Sequence, residues 1–124
     1  MTPTDTIGDD VRLYRGDCLT VLPTLAGIDA VVTDPPFGMD WDTDSTRFTG
    51  GKGGHTKKTR RIANDDKPFD PSPWLKFPRV LLWGHNHYAA MLPIGTTLVW
   101  VKKSVDKFGA FLSDAEIGWS KGGH

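Results

Sequence analysis

The stretch Ile28-Asp-Ala-Val-Val-Thr-Asp-Pro-Pro-Phe constrains the fold more than any other part of the chain. Ile28 to Thr33 is rich in β-branched residues, which predicts a strand buried inside a sheet. That strand must stop at Asp34-Pro35-Pro36, because proline has no N–H for a ladder and fixes its own φ. The residue before a proline is also pushed into extended backbone, so the turn is stiff. An acid therefore stands at the tip of a buried strand, on backbone that offers carbonyl acceptors and, at two successive positions, no donor.

Other runs supply partners for this strand. Arg79 to Gly84 reads as a second buried strand, Thr96 to Val101 as a third, and Ala115 to Ser120 as a fourth and weaker one. Val11 to Arg15 alternates as a short strand closed by Gly16-Asp17, while residues 1–10 read as a frayed terminus. Cys18 to Ala26 is spaced as a short helix that Pro23 limits and Gly27 stops, and His87 to Leu92 suits another. Strands alternating with short helices predict an α/β domain over residues 1–124, with a mostly parallel sheet. Ligands of such sheets sit beyond the carboxyl ends of the strands. That rule puts Asp34 and His85-Asn86-His87 on one edge.

Residues 38–73 carry no convincing element and read as a long loop, functional or disordered. The chain holds 15 basic and 15 acidic residues, yet six cations and no acid fall between Ser45 and Asn64. These are Arg47, Lys52, Lys57, Lys58, Arg60 and Arg61, with acids crowded on either side. A basic segment on a balanced body suits a polyanion, or simply a solvated surface. The single cysteine, Cys18, excludes an internal disulfide and any multi-cysteine zinc site. No apolar run nears the roughly 18 residues of a membrane span, and no secretory signal is visible, so the expected compartment is the cytoplasm.

The chemistry concentrates in Asp34-Pro35-Pro36-Phe37. A rigid pair of acceptors beside an aromatic face suits a planar ring with an exocyclic amino group. A purely structural reading makes Asp34 a turn residue and Phe37 a core residue. The surrounding residues favour the chemical reading. Arg15-Gly-Asp-Cys-Leu followed by Ile28-Asp-Ala-Val-Val-Thr-Asp-Pro-Pro-Phe-Gly resembles the opening of the amino-methyltransferases that modify adenine N6 or cytosine N4 in DNA. Arg79-Val-Leu-Leu-Trp-Gly-His-Asn-His-Tyr, Thr97-Leu-Val-Trp-Val-Lys-Lys and Phe111-Leu-Ser-Asp-Ala-Glu-Ile-Gly-Trp-Ser are similar to the family's later strands, in family order.

The resemblance implies a partial Rossmann-like methyltransferase sheet and methyl transfer from S-adenosylmethionine to a flipped-out base in DNA, as in restriction-modification systems of bacteria and phage. It implies that Asp34 and the Pro35 carbonyl accept the amine hydrogens and that Phe37 stacks on the base. Asp17 and Cys18, with Asp34, are implied near the cofactor, and the basic residues from Arg47 to Arg61 on phosphates. The acid at 34 with the aromatic at 37 points to adenine. The chain also departs from the pattern. The family's Phe-x-Gly-x-Gly cofactor loop, far downstream in the arrangement that opens this way, is not reached. Phe48-Thr-Gly-Gly-Lys-Gly-Gly is a poor substitute, since no apolar strand precedes it, and it is not a phosphate loop. The expectation is a catalytic half that alone binds cofactor weakly, with a second polypeptide supplying the loop. Two alternatives stand beside it: a DNA-binding remnant without turnover, and a metal-dependent phosphoesterase using Asp17, His85 and His87.

Overall fold

A computed structural model of the chain describes residues 1–41, 61–109 and 113–122. Strands β1 (Asp5–Ile7) and β2 (Val11–Leu13) pair antiparallel as a small separate sheet. The terminus expected to fray thus forms a hairpin, turned at Gly8 with a φ of 60°. Helix α1 (Cys18–Val21) follows, and Leu22–Thr24 tightens into a 3-10 turn around Pro23. Asp17 caps α1, its carboxylate accepting from the Leu19 N–H at 2.9 Å.

The main sheet contains β3 (Ala30–Thr33), β4 (Arg79–Trp83), β5 (Gly95–Val101) and β6 (Ala115–Lys121), in the order β3-β4-β6-β5. β3 and β4 are parallel, while β6 runs antiparallel to both β4 and β5. The expectation of a mostly parallel sheet is therefore corrected: the sheet is mixed, with one parallel pairing beside two antiparallel ones. After β5 the Lys102 N–H donates to the Asp114 carbonyl at 2.9 Å, so the antiparallel ladder of β5 and β6 carries on past Val101. A parallel return would need a crossover to the far end of the strand.

Short helix α2 (Ser72–Leu75) places Trp74 against one face of the sheet. There Val80, Leu82, Tyr88 and Trp119 form the buried core, and Leu82 is fully buried. Leu82 and Trp119 are direct cross-strand partners, so β4 and β6 fill the same layer. The opposite face is open: Val32 is 68% and Trp100 55% exposed. Because β6 alone is reversed, β5 runs in the direction of β3 and β4. The carboxyl ends of those three strands and the start of β6 consequently share one edge.

Candidate active site at the carboxyl edge of the sheet

That edge opens into a cavity of about 1000 Å³, at the upper end of the range for small-molecule sites. Each strand of the main sheet contributes. Asp34 to Phe37 follow β3, Gly84, Asn86 and His87 follow β4, Lys102 follows β5, and Ala115 to Ile117 open β6. Met39, Trp41, Ile62, Asp65 and Ser113 complete the lining. Of the two stretches that the strand-end rule put on one edge, Asp34 and the pair Asn86-His87 are thus brought to one cavity, while His85 does not line it.

Asp34 is exposed at this cavity, and Pro35 behind it is buried. Partial desolvation, then the negative charge of Glu116, raise its carboxyl above the usual 3.8, while Lys102 pulls the other way. Lys102 and Glu116 are themselves joined, Nζ to Oε1 at 2.5 Å. One cation between two carboxylates leaves the negative charge in excess there.

Phe37 is half-buried and packs on the core, as the structural reading of that residue held. It also lines the cavity, with its ring stacked on the His87 imidazole at 4.7 Å between centroids and 9° between planes. Gly84 makes this stack possible. A Cβ there would fall 2.0 Å from the Phe37 ring, and its φ of 69° is a left-handed conformation that glycine adopts freely.

The wall beyond Phe37 is held by Asp65, which is 4% exposed. Its Oδ1 accepts from Gly38 N–H at 3.0 Å and Met39 N–H at 3.3 Å, and its Oδ2 from Trp41 N–H at 2.7 Å. These bonds, that of Trp41 foremost, hold its carboxyl below 3.8 against the cost of burial. Gly38 packs so tightly on the Lys67 carbonyl that a Cβ would come within 2.3 Å of it. Residues 38–41 and 61–68, expected as part of one structureless loop, are therefore tied together at Asp65, and α2 begins before that loop was expected to end. Reading the sequence treated Asp65 only as one of the acids beside the basic segment.

The other expected site residues fare differently. Asp17 and Cys18 do not line this cavity, and the observed work of Asp17 is to cap α1. Arg61 lies beside the wall residue Ile62 and pairs with Asp40 at 3.5 Å, both side chains largely exposed. Arg47, Lys52, Lys57, Lys58 and Arg60 lie outside the described residues. Among the described residues no group of three or more His, Cys, Asp or Glu is placed to hold a metal ion. Nor is any helix among them long and apolar enough to cross a membrane. No family model matches the chain, and neither a curated protein nor a solved structure matches it.

Proposed function

We propose that the cavity receives an adenine extruded from DNA and presents its N6 amine for methylation, with S-adenosylmethionine as the methyl donor. The observation that carries this reading is Asp34 on donor-free Pro35-Pro36, exposed to a cavity large enough for a base and a donor together. Bound there, S-adenosylmethionine supplies an electrophilic methyl group on a cationic sulfonium. The residues present fit such a group, since Asp34 and Glu116 outweigh Lys102 in charge and Met39, Trp41 and Ile62 offer an apolar wall.

The amine of adenine is a poor nucleophile because its lone pair is delocalised into the ring. Its two N–H groups donate to the Asp34 carboxylate and the Pro35 carbonyl, which favours pyramidal nitrogen and frees the lone pair. Asp34 also balances the positive charge that the nitrogen gains, and its raised proton affinity suits it to hold the proton released. The base stacks against the Phe37–His87 pair, offsetting part of the few kcal/mol that unstacking from the duplex costs. Phosphates on either side meet the cations between Arg47 and Arg61.

Label transfer tests the reading. The chain is incubated with unmethylated DNA and methyl-tritiated S-adenosylmethionine, and the DNA is digested to nucleosides. Label is expected in N6-methyladenine, falling about a hundredfold or more in Asp34→Ala with DNA binding retained. Wild-type chain that binds DNA but never labels it, even in an excess of S-adenosylmethionine that offsets weak cofactor binding, would leave only the DNA-binding reading.

A further inference from the structure

The backbone around the proposed base site has an unusual distribution of donors. Pro35 and Pro36 have no N–H at all. Beyond them, the N–H groups of Gly38, Met39 and Trp41 all donate to the Asp65 carboxylate, and that of Asp40 donates to the Asp65 carbonyl at 2.7 Å. The Phe37 amide adds to the stabilisation of the same carboxylate. From position 38 to 41, then, each backbone N–H is directed at one residue, and at 35 and 36 there is none. No described residue donates a hydrogen bond to Asp34 either.

We infer that Asp65 is a positioning residue that keeps this segment acceptor-only, and so selects a base whose edge carries an amine over one whose edge carries a carbonyl. The inference rests on the proposal that an exocyclic amine meets Asp34 and Pro35. An adenine N6 amine brings two donors to two acceptors. A carbonyl at the same ring position would bring lone pairs against a carboxylate and a carbonyl, with the N–H groups of residues 38–41 already committed to Asp65. Once a base fills the cavity and excludes water, a site arranged this way rejects the wrong edge because it leaves polar groups unpaired. Asp65 lies in the cavity wall and acts through the amides it withdraws.

The test uses the full chain and two single-stranded oligonucleotides that differ only in one adenine or hypoxanthine, which replaces the amine with a carbonyl. Binding is read by fluorescence anisotropy, and the amides of Gly38, Met39, Asp40 and Trp41 by hydrogen exchange. Wild type is expected to prefer adenine by at least about tenfold and to protect those amides. Asp65→Asn puts an NH2 group where Oδ2 accepts from Trp41, so both protection and preference are expected to fall, the latter towards unity. Asp65→Glu keeps two acceptor oxygens and serves if the amide variant does not fold. It is expected to lose preference only to the extent that it loses protection. Equal affinity of the wild type for the two strands overturns the inference, as does a folded Asp65→Asn that still prefers adenine. So does Asp65→Glu with intact protection and no preference. A wild type that prefers adenine without ever transferring label would sink the methyltransferase reading and leave the role of Asp65 standing.

Discussion

The carboxylate of Asp34 sits on a turn that gives it no hydrogen bond, so its proton affinity is set first by partial desolvation and then by Glu116 and Lys102 at the junction of β5 and β6. Accepting an amine hydrogen requires the ionised form. Because the carboxyl is raised, the acid limb of methyl transfer is expected above the usual 3.8, where an unperturbed aspartate would already be ionised. Glu116→Gln removes one cause of the rise and should move the limb to lower pH, whereas Lys102→Met removes the opposing charge and should move it higher. The pH profile of kcat/KM checks both directions, and a limb indifferent to both variants would detach Glu116 and Lys102 from Asp34. At this scale the sequence was readable where chemistry is local. Asp34 and its prolines are adjacent, so their joint meaning survives without coordinates. Asp65 binds amides 24 to 27 positions away, and no spacing rule links a carboxylate to N–H groups that distant.

β3 and β4 place their carboxyl ends side by side, and Gly84 converts that proximity into a ring stack. Gly84→Ala would drive a methyl group into the Phe37 ring at 2.0 Å, from a φ of 69° that alanine resists. A loss of roughly 1–3 kcal/mol is expected, together with displacement of Phe37 and of the His87 stacked on it. Gly27 is the natural control, since it has the same φ but nothing within 4 Å of an added Cβ. Gly27→Ala should lower the melting temperature through backbone strain alone and leave label transfer unchanged. If the two variants melt together and retain equal activity, the Phe37–Gly84 contact has no functional weight. The positions of β3, β4, β5 and β6 were legible because apolar, β-branched runs between turn residues leave few other choices. Their directions were not. An apolar run reads the same in a parallel or an antiparallel neighbour, and the antiparallel return of β6, whose ladder extends to Lys102 and Asp114, shows only in the pairing. The β1 strand was missed for a related reason, since Asp5-Thr6-Ile7 is too short and too exposed to show a period.

Over the whole molecule, formal neutrality conceals a division of labour. The cavity carries acids in excess at Asp34, Glu116 and Asp65, while six cations cluster between Arg47 and Arg61. On the proposed reading, acids at the reacting centre repel phosphates, so the nucleic acid is held by charges elsewhere while a base enters. Affinity for DNA is then expected to fall with salt, with log K against log [salt] no steeper than about −5 for six phosphate contacts at about −0.9 each. Replacing Lys57, Lys58, Arg60 and Arg61 with glutamine should flatten that slope by about 3 to 4 and leave the preference for adenine over hypoxanthine intact. Asp34→Ala should do the reverse, keeping the slope and losing the preference. Filter binding over a salt series, performed on both variants, measures the two effects independently. A slope unchanged by loss of the four cations would mean that phosphates are met on another surface, and the basic segment would be merely solvated. The division also explains why charge alone was ambiguous in the sequence. A net charge of zero says nothing about placement, and only the fold shows that Asp34, Glu116 and Asp65, far apart along the chain, face one cavity.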